Sequence, residues 1–188
     1  MPPDAFDIVT AGPDDAERWR DHLAIHIDES GRDGIVFAPY SPRDPRPLET
    51  PDRMVRMREA LARPVAEPNW LRVFLAVDRE GHIAGHVDLN GGTLRTDAHR
   101  CRLGLGVLGP FRGRKLGESL MRHAIGWARS EALVWMDLNV LDGNAPAIAL
   151  YQKLGFVETG RVADRFRIDG ASIGDLSMTL DLRVRVSP

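Results

Sequence analysis

Apolar side chains recur at four-residue spacing at Trp19, Leu23 and Ile27, which places them on one face of a helix. Asp14 and Asp15 offer N-caps just before it, and Gly31 is the expected stop. A second helical face is drawn by Met54, Met57 and Leu61, with Thr50-Pro51 as cap and first-turn proline and Pro64 as terminator. Leu116, Leu120, Ala124, Trp127 and Ala128 mark a third. The other apolar runs read as strands: a short start around Ile8-Val9-Thr10, then Leu71 to Val77, His82 to Leu89, Cys101 to Leu108 and Leu133 to Val140. Asn144 caps a short helix that Gly155 ends, and two final strands run from Arg161 to Ile168 and from Ser172 to Leu182. Asp78-Arg79-Glu80-Gly81 and Asp169-Gly170 are turns that fold their flanking strands into hairpins. The predicted order is β-α-α-β-β-β-α-β-α-β-β, a mixed α/β chain.

The 188 residues suffice for one domain with its own core, so a single domain over 1–188 is expected. A net charge of -2 gives no global basic field for nucleic acid and points to small or locally complementary partners. Cys101 is the sole cysteine, so an internal disulfide and a multi-cysteine zinc site are excluded and no metal is expected. The N-terminus lacks a basic stretch followed by an apolar region, and no apolar run is long enough for a bilayer. A cytoplasmic protein without membrane contact is the expectation. The stretch from Gly31 to Pro51, with prolines at 39, 42, 45, 47 and 51, reads as a long loop, either a functional lid or a partly disordered segment.

The most informative stretch runs from Val107 through Gly109-Pro110-Phe111-Arg112-Gly113-Arg114-Lys115-Leu116-Gly117. It leads a strand through a basic, glycine-containing loop into a helix. Unpaired N–H groups at a helix start carry the positive end of its dipole, and glycines let an anion approach the backbone. A solvated connecting turn is the plainer alternative. Just upstream, Gly104-Leu105-Gly106-Val107-Leu108-Gly109 matches the Gly-x-Gly-x-x-Gly of dinucleotide-binding oxidoreductases. Pro110 to Gly113 intervene before helical periodicity begins, however, and the motif does not open a βαβ series. Close backbone approach or a bulge explains the glycines better. Farther on, Asn144, Ala147 and Tyr151 fall three and four residues apart, so one helix face presents an amide, a small gap and a phenol. As an N-cap and a core aromatic, Asn144 and Tyr151 would need no ligand.

Together these segments resemble the GNAT N-acetyltransferases, with the Rim-type branch the most similar. The family's pyrophosphate loop, Gln/Arg-x-x-Gly-x-Gly/Ala, is matched by Arg112 to Gly117, and its later Asn-x-x-Ala-x-x-Leu-Tyr-x-Lys-x-Gly-Phe pattern by Asn144 to Phe156. The resemblance implies a mixed, mostly antiparallel sheet flanked by helices, splayed between the strands around Val107 and Val140, with acetyl-CoA as co-substrate in the cleft. Leu105, Val107, Arg112, Gly113, Arg114, Lys115, Leu116, Gly117, Asn144 and Ala147 would bind the coenzyme. Val107 could supply an oxyanion-stabilising amide, and Tyr151 would protonate the departing thiolate. Lys115 stands where the family usually has a glycine, so an unstrained helical start or a remodelled loop is expected there. Asn139 stands where some members carry a glutamate base, and an amide cannot take a proton.

Among proton acceptors, His86 and Asp88 share one face of their strand, although a solvent-facing pair would look the same in sequence. His22, His26, His99 and His123 are expected on a helix surface or in a loop, without roles. Cys101 lacks an activating neighbour, so direct transfer to an amine acceptor is expected in place of an acetyl-cysteine. Asp28, Glu29 and Asn139 are candidates for binding that acceptor, and Arg43 and Arg46 could hold a carboxylate. Ordinary surface charge would account for the ionic ones equally. A homodimer is compatible with this reading. A catalytically silent acyl-CoA-binding domain is the first rival, and the dinucleotide-dependent oxidoreductase the second.

Overall fold

The computed structural model describes residues 6–40 and 51–184. Seven strands form one sheet in the order β1-β2-β3-β4-β5-β7-β6. They are β1 (Asp7–Thr10), β2 (Leu71–Val77), β3 (Ile83–Gly91), β4 (Arg100–Val107), β5 (Trp135–Leu141), β6 (Val157–Ile168) and β7 (Ala171–Asp181). Four α-helices connect them, α1 (Ala16–Asp28), α2 (Pro51–Ala62), α3 (Leu116–Ser130) and α4 (Ala145–Lys153). The element order is the one expected. Arg43, Arg46 and the Thr50 cap lie outside the described residues. No helix among the described residues is long and apolar enough to cross a membrane.

Period-two patterning decides which face each strand side chain joins. Val73 and Leu75 of β2 point to α1 and α2, where they meet Trp19, Met57 and Leu61. Phe74 and Ala76, with Val87 and Leu89 of β3, point to the opposite core, which α3 closes with Leu116, Leu120, Met121 and Ala124. Burial of these side chains, each worth about 1.5–3 kcal/mol when complete, ties the helices to both sheet faces.

All neighbouring strands pair antiparallel except β4 and β5, and that exception makes the site. Their parallel ladder covers only Arg100 to Arg102 against Trp135 to Asp137. Beyond it, β4 keeps its pairing with β3 as far as Val107, while β5 pairs with β7 as far as Leu141. The sheet therefore opens at its centre. Arg100 pins the closed end, its Nε and Nη2 donating to Asp137 at 2.9 and 2.7 Å, while Thr179 of β7 donates to the same carboxylate.

Candidate functional site

The opened sheet frames a cleft of about 640 Å³. One wall is the unpaired edge of β4 at Leu103, Gly104, Leu105 and Val107, followed by Phe111 to Gly113 and Lys115 to Glu118; the other is β5 from Asn139 to Leu141 with the cap residue Asn144 and Ala147, Leu150 and Tyr151 of α4. The two motifs separated in sequence thus face each other. His26, Ile35 and Phe37 close the cleft from the α1 side.

The basic loop opens the helix as expected, but its backbone corrects one expectation. Lys115 sits at the N-cap of α3 with φ 62° and ψ 8°, the left-handed region, so its backbone is not that of an ordinary helical start. A side chain with a Cβ holds that conformation at a cost of roughly 1–2 kcal/mol. Gly113 is left-handed too, with φ 75°. Gly117 has only ordinary contacts where a Cβ would sit, the nearest being Leu150 at 3.6 Å.

Arg112 turns inward. Its Nε donates to the Val107 carbonyl at 3.0 Å, its Nη1 to Asp33 at 3.0 Å and its Nη2 to Glu29 at 2.6 Å, while its guanidinium lies over Phe37. Glu29 also accepts the Gly109 N–H, so this carboxylate anchors the loop. Asp28, the last residue of α1, is half-buried. Asn139 faces the cleft and donates to Asp175 and Ser177 of β7. Arg114 lies over the Phe111 ring and is exposed. Asn144 caps α4 by accepting the Ala147 N–H at 3.3 Å, and Ala147 leaves the small gap on the cleft side.

Tyr151 is buried against Phe156 and lines the cleft. Burial first, and the nearby Asp88 carboxylate second, push its phenol above the ordinary value, so it stays protonated. His86 and Asp88 are not solvent-facing: β3 is a central strand, His86 is buried, and the Asp88 side chain is 17% exposed. Burial raises the Asp88 carboxyl to about 6, against a lowering hydrogen bond from Asn90. His86 is held neutral by burial and by His22 and His26.

Of the two α1 histidines expected on the helix surface, His22 is buried and His26 is half-buried on the cleft wall. His22 is 4% exposed, with its Nε2 2.9 Å from His86 Nδ1. The His26 ring stacks on Phe37 at 4.5 Å and stands 5.7 Å from His86. Burial brings both down to about 4. The glycines of β4 make room for this group: a Cβ on Gly106 would lie 2.4 Å from His86 and 2.8 Å from His26, and one on Gly104 would lie 2.5 Å from Asp88. Close approach, not a dinucleotide, accounts for the Gly-x-Gly pattern. His99 and His123 are exposed, as expected. Cys101 is buried and its thiol pushed up to about 12, chiefly by burial, which suits a small core residue and not a nucleophile.

The parted sheet thus carries a left-handed loop entering a helix on one lip and a capped helix with a buried phenol on the other. The chain matches the Acetyltransferase (GNAT) family over residues 39–156, and it belongs to that family. It is 34% identical over 91 residues to a streptothricin acetyltransferase of Streptomyces lavendulae, covering 47% of this chain and 46% of that protein. The chain spans about half the length of the curated relatives it matches. Its fold is shared with a ribosomal-protein-alanine N-acetyltransferase from Brucella melitensis, at a TM-score of 0.70 and 22% identity, over 93% of this chain and 99% of that one. It is also shared with an acetyltransferase of Salmonella typhimurium solved with its cofactor acetyl-CoA, at a TM-score of 0.73 and 19% identity, over 98% of both chains.

Proposed function

We propose that the chain transfers an acetyl group from acetyl-CoA to a primary amine of a small molecule or peptide by direct attack in a ternary complex. The observation that carries this reading is the parting of β4 from β5, which leaves the Leu103–Val107 edge without a strand partner beside an anion-suited helix start. An extended pantetheine arm can satisfy such an edge as a strand would, and the N–H groups opening α3 suit its pyrophosphate. Lys115, Leu116, Gly117 and Gly113 supply backbone there, with Arg114 adding charge.

Tyr151, which lines the cleft, and Asp88, near enough to act on its phenol, offer complementary proton affinities. An amine arrives largely as an ammonium, and Asp88, raised to about 6 by burial, is a base matched to neutral pH. The neutral amine attacks the thioester carbon, the carbon–sulfur bond breaks, and Tyr151 donates to the leaving sulfur as charge grows there. Tyr151 regains a proton from the nitrogen that has become an amide. One proton remains on the Asp88 side and returns to solvent.

The streptothricin named for the Streptomyces relative, a small molecule, and the ribosomal-protein alanine named for the Brucella protein, a polypeptide, are both compatible with this acceptor range. The reading is tested by melting the protein with coenzyme A, acetyl-CoA and nicotinamide cofactors, followed by thiol release across an amine panel. Stabilisation by the coenzymes with acceptor-dependent release is expected. Stabilisation without release for any amine would leave only a coenzyme-binding domain.

A further inference from the structure

The unpaired edge of β4 is bare on the face that α1 covers. Gly104 and Gly106 lie two residues apart and so turn to the same side of the sheet, while Leu105 and Val107 approach Gly117 of α3 on the other. A Cβ on Gly104 would lie 2.5 Å from Asp88 Oδ1, and one on Gly106 would lie 2.8 Å from His26 Nε2. Asp88 and His26 thus stand over successive positions of the edge proposed to take the pantetheine arm. His26 lines the cleft there, yet its Nδ1 is buried without a hydrogen-bond partner among the described residues. Buried polar atoms are ordinarily paired, so this imidazole has bonding capacity that the fold leaves unused.

We propose that the acceptor is a small monoamine with an apolar body, whose amino group donates an N–H to the His26 imidazole over Gly106 while the body lies against Ile35 and Phe37. A primary amine that has given one proton to Asp88 keeps two N–H groups besides the lone pair that attacks, and a neutral imidazole always has one nitrogen able to accept. The inference rests on the acetyl-transfer reading for the fate of the amine. It adds His26 as a residue that decides which amine is taken.

The wall beside His26 is preformed. Ser30 Oγ accepts the Phe37 and Ala38 N–H groups at 3.0 Å each, and the Gly31 N–H donates to the Ile35 carbonyl at 2.9 Å, so the chain after α1 is tied back on itself. Phe37 stacks on the His26 ring with 18° between the planes, and the Arg112 guanidinium lies 5.2 Å from its centroid. Burial first, then His22 and Arg112, bring His26 down to about 4, so at neutral pH it is an uncharged acceptor that does not repel an amine. Carboxylates that would favour a second cation are committed elsewhere. Glu29 and Asp33 pair with Arg112, and Glu118, the one acid among the described lining residues, pairs with Arg122 and Lys153. Arg112 and Lys115, also on the lining, oppose further positive charge. An acceptor with one amine and an apolar remainder fits these walls, and a polyamine does not.

Calorimetry on the protein saturated with coenzyme A, titrated with phenethylamine and separately with putrescine, tests the seat. The aromatic monoamine should bind more tightly than the diamine by roughly tenfold or more, and the NMR resonances of the His26 ring should shift as it binds. His26→Phe, which keeps a ring on Phe37 and removes both nitrogens, should weaken phenethylamine roughly 3- to 10-fold, the worth of one neutral hydrogen bond, with the coenzyme Kd unchanged. With acetyl-CoA in place of coenzyme A, the same substitution should raise the amine KM more than it lowers kcat. Equal or tighter binding of putrescine overturns the inference. So do absent phenethylamine binding and a His26 ring that phenethylamine leaves unmoved, and neither result depends on a variant folding. A well-folded His26→Phe protein with wild-type phenethylamine affinity overturns it equally. Phenethylamine binding at His26 without thiol release from acetyl-CoA would sink the transfer reading and leave the seat.

Discussion

Arg112 and Glu29 lie 83 residues apart in sequence and 2.6 Å apart in space. The Glu29 carboxylate, at the end of α1, also receives the Gly109 N–H at 2.9 Å, so one side chain ties both ends of the turn that leads into α3. The arginine expected to meet coenzyme phosphate is also part of the loop's own frame.

That relationship separates two roles for Arg112 by experiment. Arg112→Ala should destabilise the protein without any ligand, because Glu29, 18% exposed, loses its cation and the Val107 carbonyl loses a donor. With Arg112 itself 33% exposed, solvent screening limits the cost to about 1–2 kcal/mol. The melting temperature should drop by roughly 2–8 °C in a chain of this size. An unchanged melt with weakened coenzyme binding would return Arg112 to the phosphate. Arg114→Ala should show that opposite pattern, a weaker coenzyme Kd at an unchanged melt.

Lys115 holds a left-handed backbone that glycine adopts freely. Lys115→Gly should therefore stabilise the protein, by up to about 1 kcal/mol once glycine's greater freedom in the unfolded chain is subtracted. Lys115→Val should destabilise it by more than that, since a β-branched side chain tolerates positive φ worst. Melting of both variants without coenzyme checks the pair. Equal stability of the two would mean that the backbone relaxes out of the left-handed region.

The element order and the helix faces were legible because they rest on local periodicity: Trp19 and Met57 are buried where the four-residue spacing puts them. The Asn144 to Phe156 pattern likewise located α4 and its phenol. The inward placing of His22 and His26 was missed although each follows a member of the Trp19, Leu23 and Ile27 stripe by three residues and so flanks the same helix face; their polar type outweighed their position, and the room that Gly106 leaves for them could not be seen in one strand's sequence. The signal was present in the Gly-x-Gly spacing, but its meaning depends on which strand and helix flank it. Glu29's role was equally hidden, because the loop it anchors lies 80 residues away. Asp15 occupies the N-cap of α1 without capping it and accepts the Gly12 N–H instead, a choice between neighbouring amides that sequence does not make.

Three neutral histidines, His22 and His86 buried and His26 half-buried, make the fold acid-sensitive in a defined window. Each has a folded pKa below its ordinary 6.5, to about 4 for His22 and His26, so the unfolded chain binds protons that the folded one refuses. Their contribution is fully present above pH 6.5 and is lost as pH falls toward 4. Asp88 acts oppositely: raised from 3.8 to about 6, it favours the folded state at low pH and costs stability above about 6. Near pH 5 the uptake by the three histidines on unfolding should outweigh the release from Asp88, so stability should rise with pH there. His26→Phe should flatten the slope by about one proton, and Asp88→Asn should stabilise the protein at pH 7 but not at pH 4. Denaturant melts across pH 4–7 measure both, and a slope unaffected by His26→Phe would mean that this histidine is charged in the folded state.

Tyr151 offers the sharpest test of the chemistry, because deleting one oxygen separates packing from proton donation. Its ring is 6% exposed and lies 5.8 Å from Phe156, and burial with the neighbouring Asp88 keeps the phenol protonated through neutral pH. A phenol in that state can give a hydrogen bond that strengthens as the leaving sulfur gains charge, which lowers the barrier without tightening substrate binding. A thiolate is a moderately good leaving group, so the help required is modest. Tyr151→Phe should lower kcat by roughly 10- to 1000-fold while coenzyme affinity and melting temperature barely move. Tyr151→Ala should also lose stability, by about 3–5 kcal/mol, through the cavity it opens between α4 and the sheet. Wild-type turnover in a well-folded Tyr151→Phe protein, with chemistry shown to limit the rate, would leave the ring a core residue and require the thiolate to depart without an acid.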